Sequence, residues 1–95
     1  MKITEKQIKL LELYFKAVAN KKRIKILILI KERPNLNVEE ISDILKINYQ
    51  TGASHTQRLE KVGFIYKNYK GSVVNHKISD RGEQFLSFFE KSINV

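Results

Sequence analysis

The segment EISDILKINYQTGASHTQRLEKVGFI, residues 40–65, contains two helical patterns that are separated by about three residues. The first ends near residue 46, after apolar residues that recur at helical spacing. Asn48 is the expected cap of the second helix, which runs over residues 49–62. Gly63 is the residue type expected at a left-handed helix stop. Two short helices joined in this way are typical of a helix-turn-helix.

Helices are also predicted on both sides of this segment. Capping boxes are formed by Thr4 with Gln7, by Asn37 with Glu40, and by Asp80 with Glu83. The first of these predicts a helix that runs to about residue 19, and the last predicts a helix that reaches about residue 93. Asn20 can cap a further helix over residues 21–31, although the apolar run in it would equally allow a buried strand. Pro34 ends either element.

A β-hairpin is predicted between the fourth and the last helix. Residues 64–70 and 73–78 are rich in aromatic and β-branched side chains, and they flank Gly71-Ser72. A two-residue turn that begins with glycine places Tyr69 opposite Val74, Lys67 opposite His76, and Ile65 near Ile78. The sequence therefore predicts one mostly α domain over residues 1–95 with a β-hairpin wing (α+β), a winged helix-turn-helix of order α-α-α-α-β-β-α.

Composition indicates the environment and the class of partner. The chain has 95 residues, 42% of them hydrophobic, which suffices for a single core. Its net charge of +8 favours a polyanion: nucleic acid first, an anionic membrane surface second. It has no cysteine, its longest apolar run is too short to span a bilayer, and its first residues lack a signal-peptide pattern. We expect a cytoplasmic protein that binds no membrane.

Three segments resemble a known family. FKAVANKKRIKIL, residues 15–27, resembles the F-K-A-L-[AS]-N/D-P-x-R-x-x-I-L stretch of the ArsR-type (arsenical-resistance repressor) winged-helix regulators. The helix-turn-helix segment continues the similarity in register, with His55, Leu59 and Gly63 in place. KISDRGEQFL, residues 77–86, is similar to the strand-to-helix exit of related, often archaeal, winged-helix proteins. The resemblance implies a transcriptional regulator that binds double-stranded DNA.

The sequence departs from that family at several positions. Lys21 stands where the family usually has proline, a mild change at the first position of a helix. Gly52 and Thr56 replace larger apolar residues on the buried side of the fourth helix, which brings this helix closer to its neighbour. The cysteine motif of the family's thiolate metal sensors is missing, so no effector is identified.

The predicted DNA-binding surface is the outward face of the fourth helix together with the hairpin. With Gly52, Thr56 and Leu59 inward, the helical step turns polar side chains outward, and Gln, Arg and Ser or Thr are residue types that read base edges. Between residues 46 and 77 there are six basic side chains and one acidic one. The predicted DNA contacts are Tyr49, Gln50, Thr51, Ser54, Gln57, Arg58, Lys61, Lys67, Lys70, Ser72 and Lys22, with Lys21, Arg23 and Asn75 as further backbone candidates.

Three of these residues have a second interpretation. Arg23 can be structural, because it lies inside the family motif. Tyr49 can pack on the preceding helix rather than contact DNA. His55 can be a hydrogen-bonded structural residue or a protonation switch, and a lone histidine at a helix edge favours the first.

The first and last helices have broader apolar faces than one small core requires. These faces either complete the core of the monomer or form a dimer interface, and aromatic residues are typical interface anchors. The predicted dimer contacts are Leu10, Tyr14, Phe85, Phe88 and Phe89. We therefore expect a homodimer in which the terminal helices are the dimerisation elements.

Other function classes have little support. The chain lacks a phosphate loop, an HExxH pair and a nucleophile elbow, so we expect no enzyme, no catalytic residue and no cofactor. His55 and His76, with Asp80 or Glu83, do not define a metal-ligand set. The alternative is a winged-helix module that binds a protein or RNA, or an architectural nucleic-acid-binding protein.

Overall fold

The computed structural model describes residues 1–93; the predicted domain extends to positions 94–95, which lie outside the described residues. The elements follow the predicted order, and their bounds are α1 Glu5–Val18, α2 Lys21–Glu32, α3 Val38–Leu45, α4 Tyr49–Lys61, β1 Ile65–Lys70, β2 Val73–Ile78 and α5 Asp80–Ile93. The winged helix-turn-helix of order α-α-α-α-β-β-α is therefore confirmed.

The helix starts are set by side-chain caps. Thr4 with Gln7 and Asn37 with Glu40 form capping boxes at α1 and α3. Asn20 accepts a hydrogen bond from the backbone N–H of Arg23 at 3.1 Å, and Asn48 caps α4 in the same way. The cap predicted at α5 is wrong by one residue. Ser79 Oγ accepts from the N–H of Gly82 at 3.1 Å, and Asp80 lies inside the helix.

The core forms around α2, which is a helix and not the alternative strand. Ile26, Leu27 and Ile30 are fully buried, and α2 packs against α1, α3, α4, α5 and β2. Phe64, at the end of the helix-turn-helix, is also fully buried, and its ring centroid lies 4.6 Å from that of Phe85 on α5. Burying large apolar side chains in this way is the main favourable term of folding.

The hairpin has the predicted register, with Tyr69 opposite Val74, Lys67 opposite His76 and Ile65 opposite Ile78. Gly71 has a φ of 62°, and Ser72 does not share the positive φ, which indicates a type II′ turn. The loop before α3 is tied to the hairpin base by a contact that the sequence did not indicate. The carbonyl of Leu36 accepts from both the backbone N–H and the Nδ1–H of His76, each at 3.0 Å.

The two helices of the helix-turn-helix approach each other closely at Gly52. A Cβ added to Gly52 would lie 2.1 Å from Ser42 Oγ, a buried hydroxyl without a hydrogen-bond partner among the described residues. Gly52 therefore permits the α3–α4 distance, as the sequence predicted.

We expect Gly52→Ala to lower the free energy of unfolding by about 1–3 kcal/mol, because the new methyl group overpacks the α3–α4 contact. Ser42→Ala alone should change it little, since it removes an unpaired buried hydroxyl. In the double variant Gly52→Ala/Ser42→Ala, the loss of unfolding free energy should be smaller than the sum of the losses in the two single variants. Urea denaturation measures all three losses. Gly82→Ala, whose added Cβ would meet the backbone oxygen of Phe64 at 2.3 Å, is the control that Ser42→Ala should not rescue. Additive losses at Gly52 and Ser42 would contradict the prediction.

Candidate nucleic-acid interface

Helix α4 presents one buried and one exposed face. Gly52, Thr56 and Leu59 are buried, as predicted from their spacing. The opposite side carries Gln50, Ser54, Gln57, Arg58 and Lys61, all exposed, with Thr51 at the margin, and Tyr49 is exposed at the start of the helix. These side chains lie on one helix, so the structure brings most of the predicted contacts onto a single continuous surface.

Tyr49 begins this surface at the first turn of α4. Its side chain is 60% exposed, so most of its surface is free to contact a partner. A polar aromatic side chain at this place can stack on a base or donate to a phosphate.

The flanks of α4 differ in chemistry. On one side an open groove separates it from α1, with Leu13 and Ala17 facing Ser54, Arg58 and Lys61. On the other side lies the hairpin, where Lys67 Nζ is 3.7 Å from Glu60 Oε1. Lys67 is thus paired with Glu60, the single acidic residue between residues 46 and 77, and the sequence did not indicate this ion pair.

The basic residues of the hairpin point in two directions. Strand alternation places Lys67 and Tyr69 on the same face as buried His76, and Lys70 on the opposite face. Lys70 and Ser72 lie at the exposed tip. Tyr69 is 64% exposed beside Lys67, and the sequence assigned it no role beyond its pairing with Val74.

Arg23 is buried, and its guanidinium connects three elements. Its Nε donates to the carbonyl of Ala17 at 2.6 Å and its Nη2 to that of Lys16 at 3.2 Å, both at the end of α1. Its Nη1 lies 3.1 Å from Nδ1 of His55 on α4. The structural interpretation of Arg23 therefore fits its geometry, whereas neighbouring Lys21 and Lys22 are exposed.

The protonation of His55 is governed by this environment. Burial lowers the pKa of His55 below its ordinary value of 6.5, and the charges of Arg23, Lys22 and Arg58 lower it further. Burial also lowers the pKa of Arg23, with a smaller contribution from Arg58. His55 is consequently neutral at neutral pH, and its Nδ1 accepts a hydrogen bond from Arg23, because arginine can only donate.

A second arginine, which sequence analysis did not single out, joins the last helix to the interface. Arg81 Nη1 donates to the carbonyl of Val62 at 2.8 Å, and its guanidinium lies 4.5 Å from the centre of the Tyr14 ring. Gly63, with φ 79°, leaves the space for this side chain. No local pattern around Arg81 distinguishes it from an ordinary exposed helix residue.

The predicted dimer residues fall into two groups. Leu10 and Phe88 are 45% and 53% exposed. Tyr14, Phe85 and Phe89 are half-buried, and the Phe85 ring contacts the rings of both of the others. Three of the five therefore already complete the core of the monomer, as the alternative interpretation held, while keeping part of their surface free.

The described residues offer little to other chemistries. Within residues 1–93 no group of three or more His, Cys, Asp or Glu side chains is placed to hold a metal ion. His55 and His76 each engage a different partner through Nδ1. Among the same residues no helix combines the length and the apolar character needed to cross a membrane.

Comparison with known proteins identifies the family. The MarR family profile matches residues 20–70, which is more than half of the chain, from α2 to the end of β1. The profile is not that of the ArsR-type family that the motifs resembled. No curated protein matched the sequence.

Several solved structures have the same fold. Reduced HlyU from Vibrio cholerae aligns over 92% of each chain with a TM-score of 0.77 and 22% identity. MarR aligns with a TM-score of 0.72 and 19% identity over 84% of this chain, which spans only 61% of the MarR chain. The homodimeric winged helix-turn-helix DNA-binding domain Mb0332 from Mycobacterium bovis, a possible ArsR-family regulator, aligns over 99% of this chain and 89% of its own, with a TM-score of 0.75 and 22% identity.

The lowered pKa of His55 predicts a pH-dependent stability. The unfolded ring takes up a proton at a higher pH than the folded ring, so the free energy of unfolding should fall as the pH drops below about 6.5 towards the folded pKa. His55→Asn, which retains an oxygen acceptor for Arg23, should lose less stability over this range. Urea denaturation from about pH 7 to about pH 5.5 measures both. Parallel losses in the two proteins would contradict the assignment.

Proposed function

The chain belongs to the MarR family, and from that premise we propose that it is a sequence-specific regulator of transcription that binds double-stranded DNA as a homodimer on a palindromic operator. Family membership also places the chain outside the enzymes. The observation that carries the proposal is the exposed polar and basic face of α4, flanked by a basic hairpin. Because this protein would act on the chromosome, the proposal includes a cytoplasmic location.

In this proposal α4 lies in the major groove, whose base edges have a unique pattern of donors and acceptors. Gln50, Ser54, Gln57 and Arg58 are the residues that read bases, and Tyr49, Thr51 and Lys61 border them. The wing residues Lys67, Lys70 and Ser72, with Lys22 at the start of α2, contact phosphates or the adjacent minor groove. Lys67 exchanges Glu60 for a phosphate, at low cost because an exposed ion pair contributes about 0–1 kcal/mol.

Dimerisation is supported by apolar surface that the monomer leaves uncovered. Leu10 on α1 and Phe88 on α5 are about half exposed, and Tyr14, Phe85 and Phe89 continue the same surface inward. The similar Mb0332 domain is a homodimer. Two copies related by a two-fold axis would present their α4 helices to half-sites about one helical turn of DNA apart.

The likeness to ArsR-type regulators is retained for one part of the chain. The ArsR-like segment, residues 15–27, contains Arg23 and both of the α1 carbonyls that it binds. We infer that this resemblance reflects the contact between α1 and α2 through Arg23. It does not imply an effector site.

Sequence specificity predicts different effects for two basic residues. Arg58→Ala should weaken binding to the preferred site by about 1–3 kcal/mol and weaken binding to random duplex less. Lys70→Ala should weaken both about equally and reduce the slope of log K against log salt by about 0.9. Site selection from a random DNA pool, followed by titrations over a salt series, tests this. Equal binding of the wild type to all duplexes would instead indicate an architectural protein.

The dimer interface predicts a change of mass in solution. Phe88→Glu should shift the protein from dimer to monomer at micromolar concentration in sedimentation velocity, because it places a charge on the apolar surface. Ile44→Glu is the control: Ile44 is 38% exposed but lies on α3, which is not one of the two proposed dimerisation helices. A wild-type monomer at this concentration would overturn the homodimer.

A further inference from the structure

Positive charge without an opposing acid surrounds His55. The charges of Lys22, Arg23 and Arg58 all act on its ring. Within residues 1–93 the ion pairs of Glu12, Glu60 and Glu83 are made with other lysines. Like charges that are close together and lack a counterion raise each other's free energy, so an anion bound among them would be stabilising.

The hydrogen bond from Arg23 fixes which ring nitrogen of His55 carries the proton. Arginine has no acceptor atom, so Nδ1 of His55 must be the acceptor in the 3.1 Å contact. In a neutral imidazole the proton then resides on Nε2. Arg23 is held by two further hydrogen bonds to α1, so its contact with Nδ1 fixes the orientation of the His55 ring.

Among residues 1–93 the Nε2–H group of His55 has no acceptor. None of the hydrogen bonds of His55 within residues 1–93 involves Nε2, and the one buried side-chain polar atom without a partner there is Ser42 Oγ. Nε2 therefore reaches solvent. His55 also lines an open hollow beside α4 with Asn48, Gln50, Thr51 and Ser54. This hollow adjoins the face of α4 that is proposed to enter the major groove.

We propose that His55, as the neutral imidazole oriented by Arg23, donates its Nε2–H to a phosphodiester oxygen of the DNA backbone, and that Lys22 pairs with the same phosphate. Arg23 is a positioning residue, because it acts only through the ring. The site rests on the proposed function and adds an anchor on the α2 side of α4, opposite the wing. Such a contact sets the register of α4 on the duplex but reads no sequence.

The test compares His55→Asn with Lys22→Ala in DNA titrations over a salt series. Asn keeps an acceptor for Arg23 and removes the donor at the Nε2 position. It should weaken binding to the preferred site and to random duplex by the same factor, about tenfold, as expected for a hydrogen bond to a charged group. The salt slope should be unchanged, because a neutral donor releases no counterion. Lys22→Ala should also weaken both duplexes but reduce the slope by about 0.9.

The control is Gln84→Ala on the exposed surface of α5, which should bind as the wild type does. Urea denaturation should show that His55→Asn is folded at the pH of the titrations. Unchanged DNA affinity of folded His55→Asn would overturn the phosphate contact alone. A reduced salt slope in this variant would overturn the neutral imidazole. Failure of the wild type to bind any duplex would overturn the proposed function and this site together.

Ring NMR signals of His55 give a second measurement that a purely structural role would not change. Free protein should show the proton on Nε2, and addition of DNA should shift that signal. Inorganic phosphate, which has the same chemistry, is the comparison. It should not shift the signal when its concentration equals the concentration of DNA phosphate that saturates the change. A proton on Nδ1, or an equal shift with inorganic phosphate, would overturn the proposal.

Discussion

The buried guanidinium of Arg23 is the interaction on which the interface depends. It satisfies two carbonyls at the end of α1 and orients His55 on α4, so three helices meet at one planar group. A buried charge is costly unless its donors are satisfied, and arginine's fixed fork meets this condition without a carboxylate. Because none of the ion pairs within residues 1–93 includes Arg23, its charge still contributes to the positive potential beside α4.

Arg81 has the corresponding role at the C-terminal end of α4. It binds the last turn of α4 through the Val62 carbonyl and covers the Tyr14 ring of α1. The helices proposed to form the dimer are therefore attached to the helix proposed to read DNA at two places: at its middle, through Arg23 and His55, and at its C-terminal end, through Arg81. With Phe64 and Phe85 packed between them, a displacement of α1 or α5 would be transmitted to α4 through contacts that are already close-packed.

Local patterns in the sequence were sufficient for the hairpin register and for every element except α2, whose apolar run equally allowed a strand, because caps, glycine and strand alternation act over a few residues. The buried face of α4 followed in the same way from the spacing of Gly52, Thr56 and Leu59. Contacts between distant positions were not accessible. Arg23 with His55, Arg81 with Tyr14 and Leu36 with His76 depend on tertiary packing, and one residue of offset at Ser79 changed a cap. Family membership also differed, since ArsR-like motifs proved compatible with a MarR-family chain.

The double hydrogen bond to the Leu36 carbonyl has a mechanical consequence for the wing. It fixes the base of the hairpin at His76, which pairs with Lys67, to the loop that leads into α3. Only the segment from Lys67 to the turn at Gly71 then projects beyond this attachment. At about 3.3 Å per residue this arm is about 13 Å long. An arm this short bends little. The distance between its tip and α4 is therefore nearly constant.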